Sequence, residues 1–238
     1  MVVFSYFRNL ISAACFYTAL GQFQSTCSWE QKGQTVTNNQ AGFMGLSLDC
    51  WANGTVFATG AYIANRNESE IGFGPGFEGS VNIYEYNSTS DLWEQLGHGI
   101  FGDAPFQFFG RPIALASHAF RVAIAASSTA MPDVKVYEYE REVGEWLQKG
   151  SNLVTGESDG TTGVAISGDG LIVAVGRPNG TASPGFVRVF EYDEISNDWS
   201  PMGDDILGEK AGDRSGFDLA MSESGEIVAI ASPQNDFV

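Results

Sequence analysis

The pentapeptide WEQLG at residues 93–97 decides the fold, because the chain repeats its outline three more times. A tryptophan is followed four residues later by a glycine at Trp29, Trp93, Trp146 and Trp199. The spacings between these tryptophans are 64, 53 and 53 residues. A period of this length is typical of an array of similar structural units.

Each later tryptophan follows a segment with the pattern of a β-strand. These segments are VNIYEY (81–86), VKVYEY (134–139) and VRVFEY (187–192), and they alternate with the period of two expected of a half-buried strand. Upstream lie a short segment such as VAIS (164–167) and, after a turn, an apolar run such as LIVAV (171–175). Four short strands per unit, here named a to d in chain order, are typical of a β-propeller blade.

The sequence therefore predicts an all-β fold, a β-propeller of four-stranded antiparallel blades with three full blades and a partial fourth. We expect the tryptophan of strand d and the tyrosine of strand c to fill the space between blades, because one blade cannot bury both its faces. Since the last unit stops after strand b, the pattern fits a truncated propeller or an open array with an unpaired edge. The predicted blades span about 42–97, 108–150 and 160–203, with a partial fourth blade in which residues 214–238 are joined by a strand at 28–36.

Short motifs beside strands a and b resemble those of a known family. Phe109 and Gly110 precede a strand a, while VGRP (175–178) and IASP (230–233) follow a strand b. These segments resemble the FG-GAP repeats of integrin α subunits, which implies a propeller of the kind found in many secreted proteins. Calcium-binding repeats of that family carry several aspartates in the a–b loop, because calcium needs six to eight oxygen ligands. The loops at 167–170 and 222–225 hold at most one carboxylate each, so that calcium site is not carried over.

The N-terminus is typical of a secretory signal peptide over residues 1–21, followed by the propeller domain at 22–238. Arg8 precedes an apolar run from Leu10 to Leu20, which is shorter than the roughly 20 residues of a membrane span. An uncleaved anchor and a buried first strand are the alternatives. Secretion would let Cys27 and Cys50 form a disulfide bond, although both could remain free thiols. It would also expose four N-glycosylation sequons, at Asn53, Asn67, Asn87 and Asn179.

The charge of the chain limits its partners. A net charge of −17 argues against nucleic acid and against an anionic membrane surface. Acidic residues recur in the loops between strand d of one blade and strand a of the next, on one face of the predicted propeller. We predict that this face binds a partner, the alternative being that the acids are solvated turn residues. These residues are Asp103, Glu157, Asp159, Glu209 and Asp213.

Motifs for catalysis or for a cofactor are not found in the sequence. The histidines, His98 and His118, occupy non-equivalent positions of the repeat, and no nucleophile elbow occurs. The sequence therefore predicts a secreted binding module for protein or glycan partners, without catalytic activity, cofactor or metal. The alternatives are a secreted propeller enzyme acting on carbohydrate and a structural fragment of a larger adhesion-like protein.

Overall fold

The structure, a computed structural model, describes residues 11–14, 28–37, 44–64, 77–118, 120–127, 133–153, 160, 163–178 and 183–235. Its first two strands, β1 (Ile11–Ala14) and β2 (Ser28–Gln31), pair antiparallel with each other. Strand β1 lies within the predicted signal peptide, whose cleavage stays a prediction. Within the described residues, no helix is long and apolar enough to span a membrane.

Three antiparallel sheets follow, each with four strands joined in chain order, as the sequence predicts. In blades 1 and 3, a two-residue strand also pairs with strand c. The fold class is thereby confirmed. Blade 1 consists of β3 (Ser47–Cys50), β4 (Val56–Ala61), β5 (Ser80–Asn87) and β6 (Leu92–Gln95), with β7 (Ile100–Phe101) beside β5. Blade 2 consists of β8 (Phe109–Leu115), β9 (Arg121–Ala126), β10 (Val134–Glu140) and β11 (Glu145–Gln148). Blade 3 consists of β12 (Gly163–Ile166), β13 (Ile172–Arg177), β14 (Phe186–Asp193) and β15 (Asp198–Pro201), with β16 (Ile206–Leu207) beside β14.

The described chain ends in a two-stranded sheet that corresponds to strands a and b of a blade. We call this sheet, β17 (Asp218–Met221) and β18 (Val228–Ala231), the half-blade. Its strand pairing matches that of strands a and b in the complete blades, since Leu219 lies opposite Ile230 as Ile113 lies opposite Ile124. The predicted partial fourth blade is therefore present as this hairpin.

The core lies between the blades, where a face of small residues meets a face of large ones. Between blades 2 and 3, Ala114, Ala123 and Ala125 from blade 2 pack in one cluster with residues of blade 3 such as Val173 and Phe190. A second cluster joins blades 1 and 2, where Val56 and Ile83 of blade 1 pack with residues of blade 2 such as Val122 and Trp146. This explains why the strand b segments are apolar at successive positions, because both faces of each blade are covered.

The repeated Trp-x-x-x-Gly motif joins neighbouring blades. The indole Nε1 of Trp93, Trp146 and Trp199 donates a hydrogen bond to the carbonyl of Lys32, Leu96 and Lys149, respectively, at 2.7–2.8 Å. Each of these carbonyls directly precedes the motif's glycine, which lies against the ring of the next blade's tryptophan. A Cβ atom built on Gly33, Gly97 or Gly150 would lie only 2.7–3.0 Å from the indole Cδ1. One blade therefore provides a carbonyl and a bare Cα as a seat for the tryptophan of the next.

This seat can be tested with two glycines of similar backbone conformation. Gly150 has φ +71 and would place a Cβ 2.7 Å from Trp199, whereas Gly54 has φ +67 with nothing within 4 Å. Both alanine variants pay the cost of a left-handed conformation, but only Gly150→Ala also collides with an indole. We expect Gly150→Ala to lower the free energy of unfolding by about 1–3 kcal/mol more than Gly54→Ala, measured by urea unfolding. Equal losses would show that the seat is not tightly packed.

Candidate active site in the central channel

Strands a of the four sheets line a central channel. The channel has a volume of about 720 Å³, and its wall comes mainly from β3, β8, β12 and β17. Most of the wall side chains are small or apolar. Its polar side chains are Ser47, Asp49, Ser117, Asp218 and Glu223. Concave sites with a few polar groups in an apolar wall are typical of small-molecule binding.

Asp49 occupies a strand a position that is alanine in blade 2, blade 3 and the half-blade. The strand pairing places Asp49 opposite Ala58 on strand b. In blade 2, blade 3 and the half-blade, the residue at this place is an alanine that also faces an alanine of strand b: Ala114 opposite Ala123, Ala165 opposite Ala174 and Ala220 opposite Ala229. One carboxylate thus replaces a methyl group in an otherwise repeated channel wall.

Asp49 did not stand out in the sequence because LSLDC (46–50) is a degenerate copy of strand a. Matching its first leucine, Leu46, to Val164 places blade 1 two residues out of step, whereas the strand pairing matches Leu48 with Val164. With Leu48 matched to Val164, the turn glycines Gly54 and Gly170 also coincide. These glycines were the sequence signal that could have placed Asp49 correctly.

The carboxylate of Asp49 bridges blades 1 and 2. Its Oδ2 accepts a hydrogen bond from the N–H of Leu115 at 2.7 Å, and its Oδ1 accepts one from the N–H of Cys50 at 2.8 Å. Burial raises the pKa of Asp49 above its ordinary value of 3.8, although both backbone hydrogen bonds act to lower it. Each oxygen keeps a further lone pair, so Asp49 can still accept a proton or a water molecule.

Backbone N–H groups on the inner edges of the strands also face the channel. The N–H of Ser167, directly after β12, donates to the carbonyl of Ile172 on β13. Together with the register, this means that alternate N–H groups of β12 point towards β13. The N–H groups of Val164 and Ile166 therefore point from the opposite edge, towards the channel. In β8 the corresponding N–H groups belong to Ile113, which donates to Ser47 Oγ at 3.1 Å, and to Leu115.

A second polar group lies at the turn end of the channel, around Glu223. The same oxygen, Oε1, contacts both the His118 Nε2 and, at 3.4 Å, the Ser117 Oγ. The serine is therefore bonded to the carboxylate and not to the imidazole, which is not the order needed to activate a serine nucleophile. His118 is largely exposed, with 64% of its side chain accessible.

The structure places three of the five acidic residues predicted to bind a partner. Asp103 pairs with Lys135, whose side chain is only 3% exposed. Asp213 is buried, and its Oδ2 accepts the N–H of Lys210 at 2.7 Å. Glu209 is exposed, while Glu157 and Asp159 lie outside the described residues. The carboxylates of Asp103 and Asp213 thus each contact another residue of the same chain. The role of the five acidic residues in binding a partner stays a prediction.

The remaining predicted sites lie on turns and strands away from the channel centre or outside the described residues. Asn53 is exposed in the a–b turn of blade 1, and Asn87 is half-buried at the end of β5. Cys50 carries a free thiol, and its predicted partner lies outside the described residues. That partner is Cys27, and the sequons at Asn67 and Asn179 also lie outside. In the described part of the chain, no cluster of three or more His, Cys, Asp or Glu side chains could hold a metal ion.

The raised pKa of Asp49 predicts how stability depends on pH. Between 3.8 and its higher folded pKa, the native chain binds more protons at Asp49 than the unfolded chain does, so this contribution to stability falls as pH rises. Asparagine does not ionise. We therefore expect the free energy of unfolding of Asp49→Asn, relative to the unsubstituted chain, to increase as pH rises above 3.8.

Asp198 supplies a control with the opposite sign, because hydrogen bonds from Ser151 lower its pKa. Its stabilising effect is present above its unfolded pKa and is lost as pH falls, so Asp198→Asn should lose relative stability as pH rises. Urea unfolding measures the slope for Asp49→Asn above pH 3.8 and the slope for Asp198→Asn below pH 3.8. If the relative free energies of unfolding of the two variants changed with pH in the same direction, the burial of Asp49 would be contradicted.

Comparison with known proteins gives a likeness of fold. No protein-family model matches the chain, and no curated protein matches it. Two solved structures from Bacteroides resemble it, each named a "putative 6-phosphogluconolactonase". The protein from Bacteroides uniformis ATCC 8492 superposes with a TM-score of 0.52 at 11% identity, over 94% of this chain and 60% of that one. The protein from Bacteroides fragilis NCTC 9343 gives 0.45 at 16% identity, over 69% of this chain and 39% of that one.

These comparisons correct the function expected from the sequence. The chain spans 60% of the length of the Bacteroides uniformis protein, which bears the name of an enzyme. The expectation of a binding module without catalytic activity is therefore wrong. Motifs along the chain do not describe the channel, whose wall takes single residues from separate blades. The resemblance to FG-GAP repeats stays a prediction.

Proposed function

We propose that this chain belongs to a propeller enzyme that hydrolyses a carbohydrate lactone in the central channel. The observation that carries the proposal is Asp49, a carboxylate with a raised pKa at a channel position that is alanine in the other three sheets. Buried carboxylates with raised pKa values are typical of general bases. The name of the Bacteroides uniformis propeller supports the choice of a lactone as the substrate.

The groups around the channel can divide the work of lactone hydrolysis. Asp49 accepts a proton from a water molecule whose oxygen attacks the lactone carbonyl carbon. Inward N–H groups, such as that of Ile166, donate to the carbonyl oxygen as it gains negative charge. The ring C–O bond then breaks, and the proton held by Asp49 passes to the leaving ring oxygen. One lactone and one water thereby give one hydroxy acid, with no other reactant.

The charge of the channel favours an uncharged lactone over a phosphorylated one. Three carboxylates, those of Asp49, Asp218 and Glu223, are among the described residues that line it, and these residues include no lysine or arginine. A phosphate group carries close to two negative charges and is commonly bound by arginine or lysine. The preferred substrate therefore differs from the one in the names of the two solved propellers.

The test is hydrolysis of glucono-δ-lactone, followed by acid release above the buffer rate. We expect Asp49→Asn to reduce kcat/KM by about 10²- to 10⁴-fold, since this is the usual contribution of a general base. Activity should rise with pH through the raised pKa of Asp49. The control Asp193→Asn changes an exposed carboxylate at the last residue of β14 and should leave the rate unchanged.

Two results would overturn the proposal. One is the absence of hydrolysis above the buffer rate by the unsubstituted chain. The other is an Asp49→Asn variant with full activity. Faster hydrolysis of 6-phosphogluconolactone than of glucono-δ-lactone would contradict the assigned substrate class while leaving the role of Asp49 intact.

A further inference from the structure

The half-blade exposes a face that is buried in the complete blades. Ala220, Ala229 and Ala231 are exposed on β17 and β18. The equivalent residues of blade 2, Ala114, Ala123 and Ala125, are buried against blade 3. The half-blade also lacks strands c and d among the described residues, so the outer edge of β18 has no pairing strand there.

The hairpin at the other end of the chain has the register of the missing strands. In blade 1, Tyr86 of strand c lies opposite Trp93 of strand d. In the N-terminal hairpin, Ala13 of β1 lies opposite Trp29 of β2, so β1 takes the place of strand c beside the tryptophan strand. Residues after β2 also act as the end of a strand d, because the carbonyl of Lys32 accepts the indole N–H of blade 1. The hairpin β1–β2 is therefore equivalent to strands c and d of a blade.

Blade 3 carries a tryptophan seat that no described residue fills. The seats at Gly33, Gly97 and Gly150 each hold an indole of the next blade. The fourth, formed by Met202 and Gly203, has the same backbone conformation at the glycine, with φ +74, and nothing within 4 Å of a Cβ there. Met202 is 50% exposed. The occupant that fits is a strand d carrying a tryptophan at the motif position.

We propose that a second copy of this chain supplies that strand, by adding its hairpin β1–β2 to the half-blade of the first copy. Ile11 then lies opposite Val228, as Tyr84 lies opposite Phe57 in blade 1, and Trp29 enters the seat at Gly203. Within one chain, the hairpin β1–β2 borders blade 1, and the three complete blades stand between it and the half-blade. The hairpin and the half-blade accordingly form separate sheets. When two copies exchange hairpins, the outer edge of β18 is paired in each copy, as in β-strand addition and domain swapping.

The experiment uses the full chain made without secretion, so that β1 is retained. Sedimentation equilibrium over a range of concentrations should give a dimer, twice the 25.6 kDa of one chain. Gly203→Ala should give a monomer, because its Cβ fills the seat of the incoming indole. Gly54→Ala is the matched control, with similar φ and open space but no place in the seat, and it should remain a dimer.

Cysteine cross-linking identifies the donor. In a chain whose three native cysteines are changed to serine, Ile11→Cys with Val228→Cys should form a disulfide-linked dimer under mild oxidation. Three results would overturn the proposal: a monomer at every concentration, an undiminished dimer with Gly203→Ala, or a disulfide bond within one chain. None of these results bears on lactone hydrolysis.

Discussion

The hydrogen bonds from the indoles of Trp93, Trp146 and Trp199 to a carbonyl of the preceding unit are the interactions on which the rest of the structure depends. They fix how far apart neighbouring blades lie and how each is rotated, because each indole must meet both the carbonyl and the bare Cα of the glycine. Trp146 makes this contact across 50 residues of sequence. A blade therefore lacks part of its own packing surface, and its stability depends on its neighbours, as in other repeat proteins.

Packing between neighbouring blades also limits where a functional side chain can appear. On the face that meets the next blade, the strand a position must be small, which is why alanine recurs at Ala114, Ala165 and Ala220. Asp49 satisfies the rule in a different way, since its carboxylate binds the N–H of Leu115 on the neighbouring strand edge. It therefore combines a structural contact with an ionisable group in the channel. The cost of burying that group appears as its raised pKa.

The sequence predicted the repeated elements well and the individual site poorly. Tryptophan spacing and the alternation in segments such as VRVFEY predicted four strands per blade, because these patterns follow directly from burial on two faces. Asp49 was missed because hydrophobic matching alone cannot fix the register of a short strand to better than two residues. Asp213 is buried and accepts the N–H of Lys210 in its own loop, while its binding role stays a prediction. Local hydrogen bonding of that kind is invisible in a charge pattern.

The interface between blades 2 and 3 gives the array a direction, because small residues of one blade meet large residues of the next. Ala114, Ala123 and Ala125 of blade 2 face blade 3, while residues such as Val173 and Phe190 of blade 3 point back towards blade 2. Two alanine faces brought together would leave a gap, and two aromatic faces would collide. Two-fold contacts that bring like faces together are therefore excluded on packing grounds. Copies of the array can meet only head to tail, as around a ring, and the proposed exchange of hairpins meets this requirement.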